Sequence, residues 1–245
     1  MHFLQILLAG LIIMLATALG AGAVFAFNRI GSALYAAMLA LCAGMMTFSA
    51  VEMVTVSHAE AGHRIAFATF VMGMAVFCLL DRLLPHAHAT LLGAEMPHAK
   101  RKATLLVSSM TLHNIPEGFA VAAAFAGSSS LGWLVTTCIA LQDIPEGLVV
   151  AGPIACQGVP LRRCFLWGLF SGFAELAAAL CGFWLLSAAS RITPWAIGFA
   201  AGTMSYVVLF ELLPDAVRNE NRRQALAAFV GGVALAFGLS AIFGS

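Results

Sequence analysis

Two segments of the chain share one plan: Leu112-His113-Asn114-Ile115-Pro116-Glu117-Gly118 and, 29 residues later, Leu141-Gln142-Asp143-Ile144-Pro145-Glu146-Gly147. In a helix of about 3.6 residues per turn, positions i, i+1 and i+4 fall within an arc of about 100°. His113, Asn114 and Glu117 therefore face one way, and Gln142, Asp143 and Glu146 do the same. Pro116 and Pro145 withhold the hydrogen bonds that would reach the carbonyls of Leu112 and Leu141, and the glycines that follow let another backbone approach closely. Glu117, Asp143, Glu146 and Glu175 all lie inside apolar runs, and no basic residue lies at comparable depth. A carboxylate at the centre of a membrane span costs roughly 2.5–3.5 kcal/mol on insertion scales. Two divalent cations would balance four ionised carboxylates, and the alternative is that the acids stay protonated. Imidazole beside carboxylate and amide oxygens suits zinc, ferrous iron, manganese or cadmium, while the absence of neighbouring thiols argues against copper(I).

The elements that position these residues follow from composition. Of 245 residues, 62% are apolar and 9% charged, against about 25% charged in a soluble domain. The chain reads as one polytopic membrane domain, 1–245. Runs near the roughly 20 residues that cross hydrocarbon predict eight helical spans: Phe3 to Phe27, Ala33 to Ser57, Ile65 to Leu84, Ala103 to Ala126, Leu131 to Cys156, Phe165 to Ala189, Trp195 to Leu213 and Ala225 to Phe243. Barrel strands are excluded because the runs lack inside-outside alternation. The first run lacks a basic leader and has its cation, Arg29, behind it, so it reads as a span rather than a signal peptide. The fold class is an all-α integral membrane bundle whose fourth and fifth spans are Pro-kinked and form a central binuclear metal site. Paired motifs on adjacent antiparallel helices, each broken by Pro and Gly, are how inverted-repeat transporters line a central site.

Ten of the twelve Lys and Arg residues flank the odd-numbered connections and two, Arg64 and Arg191, the even ones. The positive-inside rule then places both termini outside the cytoplasm. Cations scattered through short loops give no basic face for nucleic acid. Six cysteines without a CxxC pair read as small buried hydrophobes.

At the paired motif the sequence resembles the Zrt-, Irt-like (ZIP) family of divalent metal transporters, and within it the bacterial GufA-like branch. His113 to Gly118 is similar to the fourth-span signature of that family, and Gln142 to Gly147 to the fifth-span version of the branch. Asp81-Arg82-Leu83-Leu84-Pro85-His86 also resembles the branch. The resemblance implies a two-metal site: His113, Glu117, Gln142 and Glu146 around the first ion, and Asn114, Asp143 and Glu175 around the second, with Glu117 and Glu146 able to bridge. It also implies alternating access in which spans one, four, five and six move as a unit, resembling an elevator. The chain departs from the family pattern in carrying Glu52 and in having Phe210, where a histidine is expected, before Glu211.

Further candidates lie along an ion's route. His86, His88 and His98, with Glu95, sit in the connection 85–102, which is expected to be a cytoplasmic loop. His58 and His63, with Glu60, flank an outer connection, and Glu211 and Asp215 end the seventh span. The expected function is passage of zinc, or cadmium, iron or manganese, across the cell (inner) membrane into the cytoplasm. Up to two ions occupy the site as transported substrate, and no catalytic cofactor is involved. Partners are membrane lipid and divalent metal ions, not nucleic acid, with a homodimer open. The alternative is an intramembrane metalloenzyme or metal sensor using the same site. Against the enzyme, a catalytic zinc takes three protein ligands that are largely His, and His113 is the single histidine inside a span.

Overall fold

The structure, a computed structural model, describes residues 2–26, 31–91, 98–155, 158–217 and 222–243; of 84–91, 98–110, 149 and 153 it describes the backbone alone. Span ends expected at Phe27 and Cys156, the cations Arg29 and Arg218, and Glu95 lie outside these residues. Among the described residues the regular elements are helices: α1 (Phe3–Gly22), α2 (Ser32–Ala61), α3 (His63–Leu91), α4 (His98–Gly127), α5 (Ser129–Ala155), α6 (Leu161–Ala188), α7 (Thr193–Val207), α8 (Leu213–Val217) and α9 (Arg222–Phe243). A helical form satisfies every backbone polar group within its own segment, as a lipid environment demands. One wide π turn, Val208–Leu212, joins α7 to α8, just before Pro214, whose missing N–H weakens regular pairing there.

Among the described residues, seven segments are long and apolar enough to cross a membrane: Phe3–Phe25, Ser32–Ala61, His63–Leu83, Ser129–Gly152, Leu161–Ala188, Ser190–Val217 and Arg222–Phe243. The expected fourth span falls in α4, which is not among the seven. That helix opens on His98, Lys100, Arg101 and Lys102 and then carries the polar motif, which lowers its hydropathy. Helix α3 continues past the expected stop at Leu84 to Leu91, and α4 starts at His98, so helix occupies much of the expected loop 85–102. Both α4 and α5 run through their prolines without interruption.

Two tight turns fix the hairpins that matter. Gly62 ends α2 with φ 80°, a conformation that side chains with a Cβ rarely adopt, and its N–H reaches the His58 carbonyl. Between α4 and α5, the Ser128 hydroxyl accepts the Leu131 N–H at 3.0 Å as an N-cap. At about 1.5 Å rise per residue, His113 and Gln142 each stand about 20 Å from that turn, so the paired motifs arrive at one level on antiparallel helices.

The helices sort into two groups. Helix α4 packs chiefly on α6, and α1 on α5 and α6; α2 packs on α9 and α7, and α3 on α7. Glycines make these contacts close. A Cβ added at Gly20 would strike the Ile144 carbonyl and one at Gly147 the Thr17 carbonyl, reciprocally between α1 and α5. Gly118 meets the Glu175 carbonyl between α4 and α6; Gly44 and Gly232 clamp α2 to α9, and Gly73 and Gly202 clamp α3 to α7. Among the described residues, every glycine pressed on the carbonyl of another helix stays within its own group. Small residues that let backbones meet are how helices associate where lipid removes the hydrophobic drive. Between the groups, α4 meets α7 and α5 meets α2 through side chains such as Val121, Val135, Ile139, Ile197 and Met204, all fully buried.

Candidate metal centre

The polar stripes of α4 and α5 turn toward one another, away from lipid. His113, Asn114, Glu117, Gln142, Asp143 and Glu146 are all buried, and so is Glu175 on α6. The positions between them on the same helices, Ile115 and Ile144, are 45% and 38% exposed. This is the alternation that a helix with one polar and one apolar face must show inside hydrocarbon.

Two groups of metal-binding atoms result. His113, Glu117 and Glu146 offer ligand atoms within 4.8 Å of one another, and Glu117, Asp143 and Glu175 do the same. Donors held about 2.0–2.2 Å from one tetrahedral ion stand roughly 3.5 Å apart, so side-chain shifts on the order of an ångström would close either group on a cation. Glu117 belongs to both groups and stands where it can bridge two ions.

Hydrogen bonding shows what these side chains lack. Gln142 donates its amide to Glu117 Oε1 at 2.5 Å. Asn114 donates to Ser171 Oγ at 3.1 Å and, in a short contact, to Glu175. Thr17 on α1 places its hydroxyl 3.1 and 3.2 Å from the two oxygens of Glu175. His113 Nδ1 stands 3.3 Å from Glu211 Oε2. Among the described residues, eight buried side-chain atoms have no partner. Seven of them are His113 Nε2, Asn114 Oδ1, Glu117 Oε2, Gln142 Oε1, both oxygens of Asp143, and Glu146 Oε1. Leaving a buried polar atom unmade costs about 1–3 kcal/mol, so their concentration in one place calls for a common partner. Six are oxygens and one is an imidazole nitrogen, a donor set for a borderline divalent cation.

The other candidates spread out. Glu211 reaches the cluster through His113 and is about a quarter exposed. Asp215, one helical turn on, is exposed. Glu52 is half-buried on α2 and belongs to neither group. His58 and His63 are exposed and border a groove between α2, α3 and α7, away from the cluster. The side chains of His86, His88 and His98 lie outside the described residues. Asp81 accepts a hydrogen bond from Tyr206 at 3.0 Å. Thr17 and Ser171, which reach Glu175 and Asn114, carry no local signal in the sequence.

Thr17→Val keeps the side-chain shape and removes the donor to Glu175. A hydrogen bond to a charged group is worth roughly 1.5 kcal/mol at the low end, so metal affinity at the Asp143–Glu175 end is expected to fall about tenfold. Calorimetric zinc titration of the purified protein checks this; unchanged isotherms would leave Thr17 without that role.

The chain is similar to known proteins over most of its length. The family described as ZIP Zinc transporter matches residues 85–240. "Zinc transporter GufA" of Myxococcus xanthus is 36% identical over 189 residues, covering 76% of this chain and 73% of that protein. "Zinc transporter ZupT" of Stenotrophomonas maltophilia (strain R551-3) is 34% identical over 237 residues, 89% of this chain and 88% of the relative. "Zinc transporter ZIPB" of Bordetella bronchiseptica is 33% identical over 242 residues, 94% and 78%. A family match over more than half the chain, and relatives at this identity over most of their length, establish that the chain belongs to the ZIP zinc transporter family.

Proposed function

We propose that the chain carries divalent transition-metal cations, zinc foremost, across the cell membrane into the cytoplasm. The observation that carries this reading is the convergence of seven unpartnered buried donor atoms from α4 and α5 on one place. In this reading α4 crosses the membrane as an eighth span, Pro116 and Pro145 kink the two motif helices, and two ions bind side by side. His113, Glu117, Gln142 and Glu146 take the first, and Asn114, Asp143 and Glu175 the second. Ligands that are mostly oxygen exchange readily, which suits a site that must let its ion leave.

The two helix groups supply the movement. Glycine clamps hold α1, α4, α5 and α6 together, and join α2 to α9 and α3 to α7, two pairs that the packing of α2 on α7 unites. Side-chain contacts alone at the seam allow one group to slide against the other, carrying the motif helices as a unit. On the side of the α4–α5 turn the site is sealed by Ala120, Val121, Ala124, Val135 and Ile197, none of which has accessible surface. On the opposite side it leads to the partly exposed Glu211. With the orientation set by the basic residues, that opening faces the cytoplasm, so this arrangement is the one that releases the ion inward.

A hydrolytic centre fits poorly, because the cluster supplies one imidazole where catalytic zinc uses ligands that are largely His. Proteoliposomes containing the purified protein are expected to accumulate radioactive zinc saturably, with cadmium, manganese and ferrous iron competing in an order that defines selectivity. Tight zinc binding with no accumulation would sink the transport reading and favour a sensor.

A further inference from the structure

The unpartnered histidine nitrogen and a carboxylate that crosses the seam belong to one device. His113 Nδ1 lies 3.3 Å from Glu211 Oε2, while Nε2 is buried and unpaired. An ionised carboxylate only accepts hydrogen bonds. With the carboxylate as acceptor, the contact to Nδ1 fits the tautomer that carries its proton there, which leaves the Nε2 lone pair for a metal. Metal-binding histidines are oriented in this way by a carboxylate on the other ring nitrogen, and losing that partner costs about 10–100-fold in affinity or activity.

Two features make the pairing conditional. Glu211 sits inside the π turn Val208–Leu212, and an extra residue in one helical turn changes the register of the side chains around it. Such turns gather at functional sites. The second feature is that His113 and Glu211 stand on different helix groups, so a slide of one group against the other by a single residue parts them.

From this geometry we propose that Glu211 is a positioning residue for the metal site: it holds His113 in the metal-binding tautomer, and only in the arrangement in which the two helix groups are aligned as they are here. The proposal rests on the assignment of His113 as a ligand. Glu211 acts through the ring and contributes a donor to neither metal group, which separates this role from that of an ion-lining residue.

The test uses the full chain in detergent, with Glu211→Leu and Glu211→Gln variants, zinc affinity measured against a competing chelator, and nitrogen NMR of labelled histidine assigned by comparison with His113→Ala. Glutamine keeps a carbonyl oxygen that can accept from Nδ1–H. The expected result is about tenfold weaker zinc binding and loss of the Nδ1–H signal in Glu211→Leu, with Glu211→Gln restoring the signal and bringing affinity within about threefold of wild type. Wild-type zinc affinity in both variants would overturn the proposal. So would Glu211→Gln binding as weakly as Glu211→Leu, because charge rather than the hydrogen bond would then be what matters. If Glu211→Leu does not fold, the glutamine variant and the wild-type tautomer decide alone: a proton on Nε2 in the wild type refutes the proposal. A Glu117→Ala, Glu146→Ala double variant that still binds zinc normally would instead remove the site itself, a failure recognisable because it does not depend on Glu211.

Discussion

Glu117→Ala combined with Glu146→Ala is expected to cut zinc uptake into proteoliposomes by roughly 100-fold or more while leaving the metal-free protein about as stable as wild type. The activity loss follows from the proposed site: losing an outer partner alone costs about 10–100-fold, and there these two carboxylates would be direct donors, with Glu117 common to both groups. The stability expectation is separate and makes the experiment informative. Both residues are buried and each keeps one oxygen without a partner. A buried polar atom in that state costs about 1–3 kcal/mol, so losing the two orphaned oxygens offsets the unpaired Gln142 amide and the vacated volume. Thermal melts should show the consequence. Zinc at about 100 times its dissociation constant adds about 2.7 kcal/mol to a protein that binds it, which raises the midpoint of the wild type and not of the double variant. Uptake that survives the double substitution would refute the site. Loss of uptake together with collapse of the apo protein would mean that the carboxylates hold the fold rather than the ion.

Gly147→Ala is expected to destabilise the protein by about 1–3 kcal/mol, the usual cost of forcing extra volume into a packed interface, and to weaken metal binding with it. The added methyl would land on the Thr17 carbonyl, while one turn of α1 further on Gly20 already presses on Ile144. The two helices cannot close on each other without both glycines. Separating α1 from α5 also carries Thr17 away from Glu175, which it holds at 3.1 Å, so a packing change reaches the metal ligands directly. Gly231→Ala and Gly238→Ala on α9 meet nothing within 4 Å and serve as controls. Helix propensity favours alanine by up to about 1 kcal/mol, so these two should be neutral or stabilising. If Gly147→Ala melts and binds zinc like the controls, the close α1–α5 contact is not what holds the site.

Much of the site was legible before any coordinates. A helix repeats its faces every 3.6 residues, so the spacing of His113, Asn114 and Glu117, and of Gln142, Asp143 and Glu146, already placed each set on one stripe. The cost of a carboxylate in hydrocarbon made those stripes face inward, and all six side chains are buried. Glu175 was within reach for the same reason, as an acid in an otherwise apolar helix. The helices themselves follow the apolar runs closely, with α5, α6 and α9 starting and ending within a few residues of expectation. Departures occur where local pattern loses its meaning. Hydropathy marks the edge of an apolar run rather than the end of a helix, so α3 continues beyond Leu84 to Leu91. It also ranks α4 low, because an average along the helix counts polar residues that the bundle buries away from lipid.

What the sequence determined by itself is the membrane class, the paired motif and the facing of its side chains, because each depends on composition or on spacing within a single helix. Only the tertiary structure decided which helix lies against which: that Thr17 meets Glu175 across 158 residues, that glycines press α1 on α5, α2 on α9 and α3 on α7, and that Glu211, in a π turn, meets His113. Those contacts depend on interlocking surfaces and on register between helices far apart in the chain. A one-dimensional period carries no information about either.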